Sequence, residues 1–261
     1  MGHSNFAIYL ISLDQDTARR QTLQQRFPET WPKITHISAI DGRQMDAGSY
    51  FRHIASSLRE ERQPMTPAEV GCALSHIAAL EAFLESGADQ ALILEDDILG
   101  DDSDIQRALS IGSSLSQHDL LICGGQEGLK SRKHQFGKRH ADNEFYTLAP
   151  FSYRYTFRSC CFIIGRPAAE RIVNMQKKSL RIADDWDAFF RESSFRIHLI
   201  NLLSHPEDLS GSLIETERAS ANMLGEEKAR SLAERIRNRR FRAMRKIRVA
   251  LLLLRGYRPV H

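Results

Sequence analysis

Residues 91–102 read ALILEDDILGDD, an apolar run that passes directly into acidic residues. The first four residues have the composition of a buried β-strand, and three consecutive carboxylates follow it, Glu95, Asp96 and Asp97. Aspartates commonly form solvated turns, but clustered carboxylate oxygens are also the ligands that Mg²⁺, Mn²⁺ and Ca²⁺ prefer. The stretch therefore predicts a core strand whose carboxyl end is either an ordinary turn or a cation site.

A helix is predicted immediately before this strand, over residues 65–87. Thr66 is suited to the N-cap, Pro67 to the first helical position, and Glu69 completes a capping-box signature. Gly87 is suited to ending the helix. Apolar residues recur at helical spacing between these ends, at Val70, Ala73, Leu74, Ile77, Leu80 and Leu84.

Strands and helices alternate along the rest of the chain. Apolar runs predict strands over residues 6–13, 34–40, 120–123, 159–165 and 197–203, and periodic segments predict helices after the first strand, over 167–175 and from 226 onward. Residues 43–63 give no strong pattern, and the polar, basic stretch 126–150 is expected to be a long loop. The alternation predicts an α/β sheet, in which ligands bind beyond the carboxyl ends of the strands.

The composition is that of an ordinary globular protein, with 42% hydrophobic and 26% charged residues among 261. No segment offers the roughly 20 consecutive apolar residues of a spanning helix. The apolar run at residues 6–11 is too short for a signal peptide. The four cysteines lack C-x-x-C spacing, so we expect reduced thiols in a cytosolic protein.

The charge of the chain is concentrated at one end. The total formal charge is +3, yet Lys228 to Arg258 holds twelve Lys or Arg and one acidic residue. An apolar stripe interleaved with basic residues is typical of helices that lie on anionic membranes, although a helix packed on the domain is the alternative. No nucleic-acid-binding motif accompanies the charge, so nucleic acid is not an expected partner. We expect a catalytic domain over residues 1–225 and a basic amphipathic helix over 226–261.

Five stretches of the chain carry a family resemblance. The longest, residues 65–98, reads MTPAEVGCALSHIAALEAFLESGADQALILEDDI, and GCALSH and LEDD are its most specific parts. The four shorter stretches, in chain order, are IYLISLDQDTARR, ISAIDGR, SCCFIIGRPAAERIV and SGSLIETER. Together they resemble glycosyltransferase family 25, the bacterial lipooligosaccharide glycosyltransferases. The resemblance implies a GT-A-like fold that transfers a sugar from a nucleotide-sugar to an acceptor hydroxyl with inversion.

The resemblance also implies roles for individual residues. The three carboxylates at 95–97 stand where this family has its version of the DxD motif, which holds a divalent cation, Mn²⁺ or Mg²⁺, against the leaving diphosphate. The predicted metal ligands are Asp97, Glu95 and His205, with His198 a weaker candidate for the third position. Ordinary histidines without a metal are the alternative for both His205 and His198. The predicted donor-binding residues are Ser12, Arg20, Asp41, Ser75, His76, Glu95 and Asp96. Ordinary alternatives are a solvated helix face for Arg20 (or Arg19 in its place), a turn for Asp41 and a satisfied buried imidazole for His76.

An inverting transfer also needs a general base for the acceptor hydroxyl. The segment ADDWD at 183–187 offers Asp184, Asp185 and Asp187, and it lies near the family's second acidic motif. Asp185 is the favoured base, with its two neighbours as alternatives. The competing interpretation is an acidic helix start stabilised by the helix dipole. Trp186 either stacks on a sugar ring or fills the core.

The sequence therefore predicts a metal-dependent inverting hexosyltransferase. By resemblance it moves galactose from UDP-galactose to a lipooligosaccharide or lipopolysaccharide core, or a related oligosaccharide acceptor. It is expected to be cytoplasmic and peripheral on the inner face of the cytoplasmic membrane. A metal-dependent phosphoesterase or nucleotidyltransferase that uses the same carboxylates is the alternative enzyme. A membrane-binding module without catalytic activity is a third possibility.

Overall fold

The computed structural model describes residues 5–60, 62–140, 145–206, 217 and 244–260. Its helices are α1 (Thr17–Arg26), α2 (Ala47–Arg59), α3 (Pro67–Glu85), α4 (Asp102–Ser114), α5 (Arg166–Lys178), α6 (Trp186–Phe190) and a C-terminal helix over residues 244–254. Its strands are β1 (Phe6–Ser12), β2 (Ile34–Ser38), β3 (Gln90–Glu95), β4 (Leu120–Gly124), β5 (Phe136–Arg139), β6 (Tyr146–Leu148), β7 (Cys161–Gly165), β8 (Ile197–Leu203) and β9 (Arg258–Pro259).

The strands form one mixed sheet in the order β2-β1-β3-β7-β4-β8-β6-β5-β9. β1 is parallel to β2 and β3, and β4 is parallel to β8. β7 lies antiparallel between β3 and β4, so β1, β2, β3, β4 and β8 all point the same way. Their carboxyl ends therefore meet at one edge of the sheet. The predicted α/β architecture is confirmed.

β3 is buried because helices cover both faces of the sheet. Ala91 and Ile93 pack in one apolar cluster with residues of α3 and α5. Leu92 and Leu94 pack in a second cluster with residues of α1 and α4. Side chains alternate between the faces of a strand, so a strand covered on both sides needs apolar residues at every position. This requirement explains the uninterrupted ALIL run.

α3 begins at the residues that the sequence predicts. The Thr66 hydroxyl accepts a hydrogen bond from the Glu69 amide at 3.2 Å, and the Glu69 carboxylate accepts one from the Thr66 amide at 2.8 Å. This capping box satisfies two amides that the helix itself leaves without partners. The helix ends at Glu85, and strand β3 starts five residues later at Gln90. The helix–strand unit that carries the three carboxylates is thus confirmed.

In two stretches the structure has secondary structure that the sequence patterns do not predict. Residues 47–59, which give no clear pattern, form α2, and Asp46 caps it by accepting from the Ser49 amide at 2.9 Å. The expectation of a long loop over residues 126–150 is wrong, because β5 and β6 form an antiparallel pair there that extends the sheet. These strands have four and three residues, too few to show an alternating pattern.

The last described residues belong to the sheet. Arg258 and Pro259 pair with β5, and the Val260 amide donates to the Gln135 carbonyl at 3.0 Å. The Val260 side chain is 1% exposed and packs in the same cluster as Leu148. The predicted division at residue 226 assigns these residues to the tail, whereas the structure packs them into the domain. Residues 226–243 and 261 of the predicted tail lie outside the described residues. Within the described part of the chain, no helix has both the length and the apolar composition needed to cross a membrane.

We predict that Val260→Ala lowers the free energy of unfolding by about 1–3 kcal/mol, because it removes buried methyl groups and leaves a cavity. Leu254→Ala is the control, since Leu254 is 84% exposed and should change stability by less than about 0.5 kcal/mol. Urea denaturation of both variants measures the difference. Equal effects would mean that Val260 does not belong to the core.

Candidate functional site

A cavity of about 670 Å³ opens at the edge of the sheet where the parallel strands end. Its volume is within the roughly 300–1,000 Å³ that is usual for small-molecule sites. The ends of β1 and β3, the first half of α3 and the residues before β7 line it, together with segments that follow β2, α5 and β8. Elements far apart in sequence therefore contribute to one site.

Glu95 points toward α3. Its Oε1 atom lies 3.1 Å from Nε2 of His76 and accepts a hydrogen bond from the Ser159 hydroxyl at 2.9 Å. The His76 ring is buried and stacks on Phe162, with ring centroids 5.8 Å apart. The other ring nitrogen, Nδ1, is buried without a hydrogen-bond partner among the described residues. The structure therefore joins two of the predicted donor-binding residues, Glu95 and His76, in one contact.

Asp96 points in a different direction, toward β1 and α1. The Ser12 hydroxyl donates to Oδ2 at 2.7 Å, and the Arg19 guanidinium donates to Oδ1 at 2.9 Å. Burial raises the pKa of Asp96 above its ordinary value, although the hydrogen bonds from Ser12 and Arg19 act in the opposite direction. Asp96 thus fixes the end of β1 and the exposed Arg19 beside the cavity.

Asp97 points toward the end of β8, where Nε2 of His205 lies 3.1 Å from Oδ2. Paired hydrogen bonds of 2.9 Å between Leu99 and Ser204 hold the two loops together. Burial opposes ionisation of Asp97, but the hydrogen bond and charge of His205 leave the pKa of Asp97 below its ordinary value. Burial likewise opposes protonation of His205, and the contact with Asp97 leaves the pKa of His205 above its ordinary value.

The residues around Asp97 fit a divalent cation. Oδ1 of Asp97 is buried and has no hydrogen-bond partner among the described residues, so a carboxylate oxygen remains to be satisfied. A carboxylate oxygen suits Mn²⁺, and an imidazole is a common ligand of first-row transition metals. Two of the predicted metal ligands, Asp97 and His205, are therefore adjacent. The third, Glu95, contacts His76 and Ser159 instead.

Arg19 and Arg20 have separate positions. Arg20 donates to the Ser12 hydroxyl at 3.0 Å, to the Asp14 carbonyl at 2.7 Å and to the Leu13 carbonyl, and so holds the turn after β1. Arg19 lines the cavity, whereas Arg20 is not among the lining residues. The arginine that the structure brings to the cavity is thus the alternative of the two that the sequence offers.

Asp41 and Ser75 lie on the side of the cavity formed by α3. Asp41 accepts from the Arg43 guanidinium at 2.6 and 2.8 Å, and this contact lowers the pKa of Asp41. The Ser75 hydroxyl accepts from the Ile40 amide at 2.8 Å and donates to the Gly71 carbonyl at 2.7 Å. Ser75 therefore ties α3 to the loop after β2, and both residues line the cavity.

The two adjacent aspartates of the second acidic segment differ in position. Asp184 lines the cavity, and its Oδ2 atom accepts from the Arg158 amide at 2.7 Å. Asp185 is the N-cap of α6, where it accepts from the Ala188 amide at 3.3 Å and pairs with Arg181 at 3.0 Å. Asp185 is not among the lining residues. Of these two candidates for the general base, Asp184 therefore lines the cavity, whereas Asp185 caps α6.

Three further candidates lie away from the cavity. Asp187 pairs with Arg191, and Trp186 is 1% exposed in the aromatic core around Phe189. His198, the weaker metal candidate, is buried against Asp119 at 3.2 Å. For Trp186 the structure favours the core interpretation.

The sequence interpretation misses two residues of the site, Arg158 and Ser159. They precede β7, and antiparallel β7 brings its amino end to the edge where β3 has its carboxyl end, as the 2.8 Å hydrogen bond from the Glu95 amide to the Cys160 carbonyl shows. Arg158 has a φ of 68°, a conformation that is uncommon outside glycine and often occurs at functional sites. Their place in the site follows from the antiparallel direction of β7, which no local sequence pattern indicates.

A mixed sheet with a carboxylate-lined cavity beyond its parallel strand ends defines the class of open α/β proteins that bind ligands at this edge. A sequence profile of glycosyltransferase family 25, described as an LPS biosynthesis protein, matches residues 5–186. The match covers more than half of the chain, and the chain therefore belongs to glycosyltransferase family 25. The resemblance found in the sequence is confirmed.

Relatives in insects carry the same family name. A glycosyltransferase 25 family member of Anopheles gambiae is 34% identical over 181 residues, which is 66% of this chain and 29% of that protein. One of Drosophila pseudoobscura pseudoobscura is 29% identical over 154 residues, 56% of this chain and 24% of that protein. The chain thus spans less than a third of the length of these relatives. Among solved structures, mannose-1-phosphate geranyltransferase from Thermus thermophilus aligns with a TM-score of 0.42 and 12% identity, over 78% of this chain and 75% of that one.

We predict that Gly71→Ala destabilises the α3 side of the site. An added Cβ at this position would lie 2.3 Å from the Ile40 carbonyl oxygen, so α3 or the loop after β2 must move, at a cost of about 1–3 kcal/mol. Gly87→Ala is the control, because its Cβ would have no neighbour within 4 Å. Thermal unfolding should show a lower Tm for Gly71→Ala alone. A similar Tm for both variants would contradict the close packing.

Proposed function

We propose that the protein is a metal-dependent, inverting hexosyltransferase that moves galactose from a UDP-sugar to a lipooligosaccharide or lipopolysaccharide core. The observation that carries the proposal is that the residues matched to family 25 include the three carboxylates of the cavity. The description of the family as an LPS biosynthesis protein supports the acceptor class.

The proposed donor site uses the residues that line the strand ends. Asp97 and His205 would hold the divalent cation, since the buried Oδ1 of Asp97 offers a carboxylate oxygen. A cation bound there would supply positive charge to the diphosphate of the leaving nucleotide. Asp96, which Ser12 and Arg19 orient, would accept a hydrogen bond from the ribose, and the exposed Arg19 would contact a phosphate.

We assign the general base to Asp184 in preference to Asp185. Asp184 lines the cavity, and the Arg158 amide fixes one of its oxygens. Asp185 uses its carboxylate to cap α6 and to pair with Arg181. A base must lie within hydrogen-bonding reach of the hydroxyl that it deprotonates, and only a residue that lines the cavity meets this condition.

A thermal-shift screen with UDP-sugars, with and without Mn²⁺, tests the donor class, because a ligand of the folded state raises Tm by mass action. We expect a UDP-sugar to raise Tm only when Mn²⁺ is present, and transfer assays to show sugar on an oligosaccharide acceptor. Hydrolysis of phosphoesters, or nucleotide transfer without sugar transfer, would favour the alternative enzyme class.

Asp97→Asn should abolish the effect of Mn²⁺ on UDP binding, because it removes a ligand charge and preserves the shape of the side chain. The measurement is titration calorimetry of UDP with and without Mn²⁺, and circular dichroism checks the fold. If Mn²⁺ still strengthens UDP binding to this variant, the assignment of the cation to Asp97 is wrong.

Asp184→Asn should retain donor affinity and lose transfer by about 10²-fold or more, the usual contribution of a general base. Asp185→Asn is the matched comparison. Asparagine also caps helices, so transfer by this variant should fall by less than about tenfold. Single-turnover rates at saturating donor measure both. The reverse order of effects would return the role of base to Asp185.

We further propose that the C-terminal helix associates with an anionic membrane, which would place the enzyme at the inner face of the cytoplasmic membrane. Four apolar side chains at helical spacing are exposed on it: Met244, Ile247, Leu251 and Leu254. Lys246 and Arg248 are exposed beside them. An apolar face flanked by cations supports binding at the level of lipid headgroups.

The double variant Lys246→Glu with Arg248→Glu should bind anionic vesicles at least about tenfold more weakly, since each basic residue near such a surface contributes about 1 kcal/mol. The control, Lys33→Glu with Lys178→Glu, changes the net charge equally at exposed positions elsewhere. Vesicle co-sedimentation at low and high salt measures both. Equal losses would mean that net charge, and not the helix, controls association.

A further inference from the structure

A second group of metal-ligand side chains lies on the α3 side of the cavity. It consists of Cys72, His76 and Glu95, and one potential ligand atom from each lies within 4.8 Å of the other two. Cys72 and His76 are one helical turn apart on α3, so their side chains share a face of the helix. Glu95 approaches them from the end of β3, and all three residues line the cavity.

This group differs in chemistry from the pair of Asp97 and His205. A thiolate with an imidazole and a carboxylate suits Zn²⁺ and Co²⁺, whereas Mg²⁺ and Ca²⁺ prefer oxygen ligands. In a tetrahedral zinc site, bonds of about 2.0–2.3 Å place the ligand atoms about 3.3–3.8 Å apart. His76 and Glu95 already approach to 3.1 Å. Small side-chain rotations would therefore bring the three ligands to metal-binding distance.

The three side chains are held in place at the cavity, with the imidazole of His76 buried beside Glu95. Only 4% of His76 is exposed, and Nε2, which lies 3.1 Å from Glu95, is the ring nitrogen that would bind the ion. Cys72 is the one partly exposed cysteine of the four, so it can be reached from the cavity. Three protein ligands also leave a fourth coordination position for water.

We infer that Cys72, His76 and Glu95 bind one Zn²⁺ ion at a site separate from the one proposed at Asp97 and His205. On binding, the Cys72 thiol releases its proton to solvent and the thiolate becomes a ligand. The site is testable without any assay of sugar transfer, and its test does not depend on the proposed function.

Cobalt serves as the spectroscopic probe of this site. Chelator-treated full-length protein titrated with Co²⁺ alone should develop a thiolate-to-cobalt charge-transfer band that saturates at about one equivalent and disappears on addition of Zn²⁺. Cys72→Ser should abolish the band. Asp97→Asn should retain it, because the two sites are separate. Cys160→Ala, which removes the other cysteine lining the cavity, should retain it as well.

A measurement on the unaltered protein covers the case in which Cys72→Ser does not fold. Zn²⁺ alone should slow alkylation of Cys72 by iodoacetamide by about tenfold or more at saturation, as mass spectrometry of the Cys72 peptide would show, and Mg²⁺ should not. Absence of the cobalt band, its persistence in Cys72→Ser, or equal alkylation with and without Zn²⁺ would overturn the inference.

Discussion

Glu95, Asp96 and Asp97 are consecutive, so three carboxylates crowd together at the end of a strand whose other residues are in a dry core. Two unit charges 4 Å apart at a protein surface interact with about 4 kcal/mol, and repulsion of that size would disrupt the strand end. The structure resolves the conflict by sending each side chain to a different element: α3, α1 and the loop after β8. Each carboxylate is therefore stabilised by its own partner, and this requires α3, α1 and the loop after β8 to lie around the end of β3.

Much of this arrangement can be predicted from the sequence. The ALIL run and the capping residues of α3 are local signals, and they correctly predict the central strand, the helix that precedes it and the carboxylates at the carboxyl end of the strand. The position of Arg158 and Ser159 is not a local property, because it follows from the antiparallel insertion of β7 between β3 and β4. The sequence also does not distinguish Asp184 from Asp185, because these adjacent residues point in different directions. Asp184 lies at the cavity, whereas Asp185 accepts a hydrogen bond from an amide of α6. Short strands such as β6, which has three residues and one of them buried, show too little of a pattern to be detected.

α3 joins the parts of the site. Gly71 and Ser75 of this helix contact the loop after β2, and His76 contacts Glu95. The close approach requires glycine at two facing positions, because a Cβ at Gly42 would lie 1.8 Å from the Pro67 carbonyl oxygen. Such packing leaves α3 little freedom to shift relative to β3. The α3 side of the cavity is therefore preorganised, which lowers the entropic cost of binding a ligand there.

β9 has a further consequence, for contacts between separate copies of the protein. It covers β5 with only two residues, Arg258 and Pro259, and it forms the last strand on that side of the described sheet. Proline has no amide hydrogen to offer a new strand, and arginine places a charge at the same edge. A sheet that ended at β5 would present regular backbone donors and acceptors to any neighbouring chain. The short cationic strand instead makes this edge a poor template for intermolecular strand addition and so protects the protein against aggregation at high concentration.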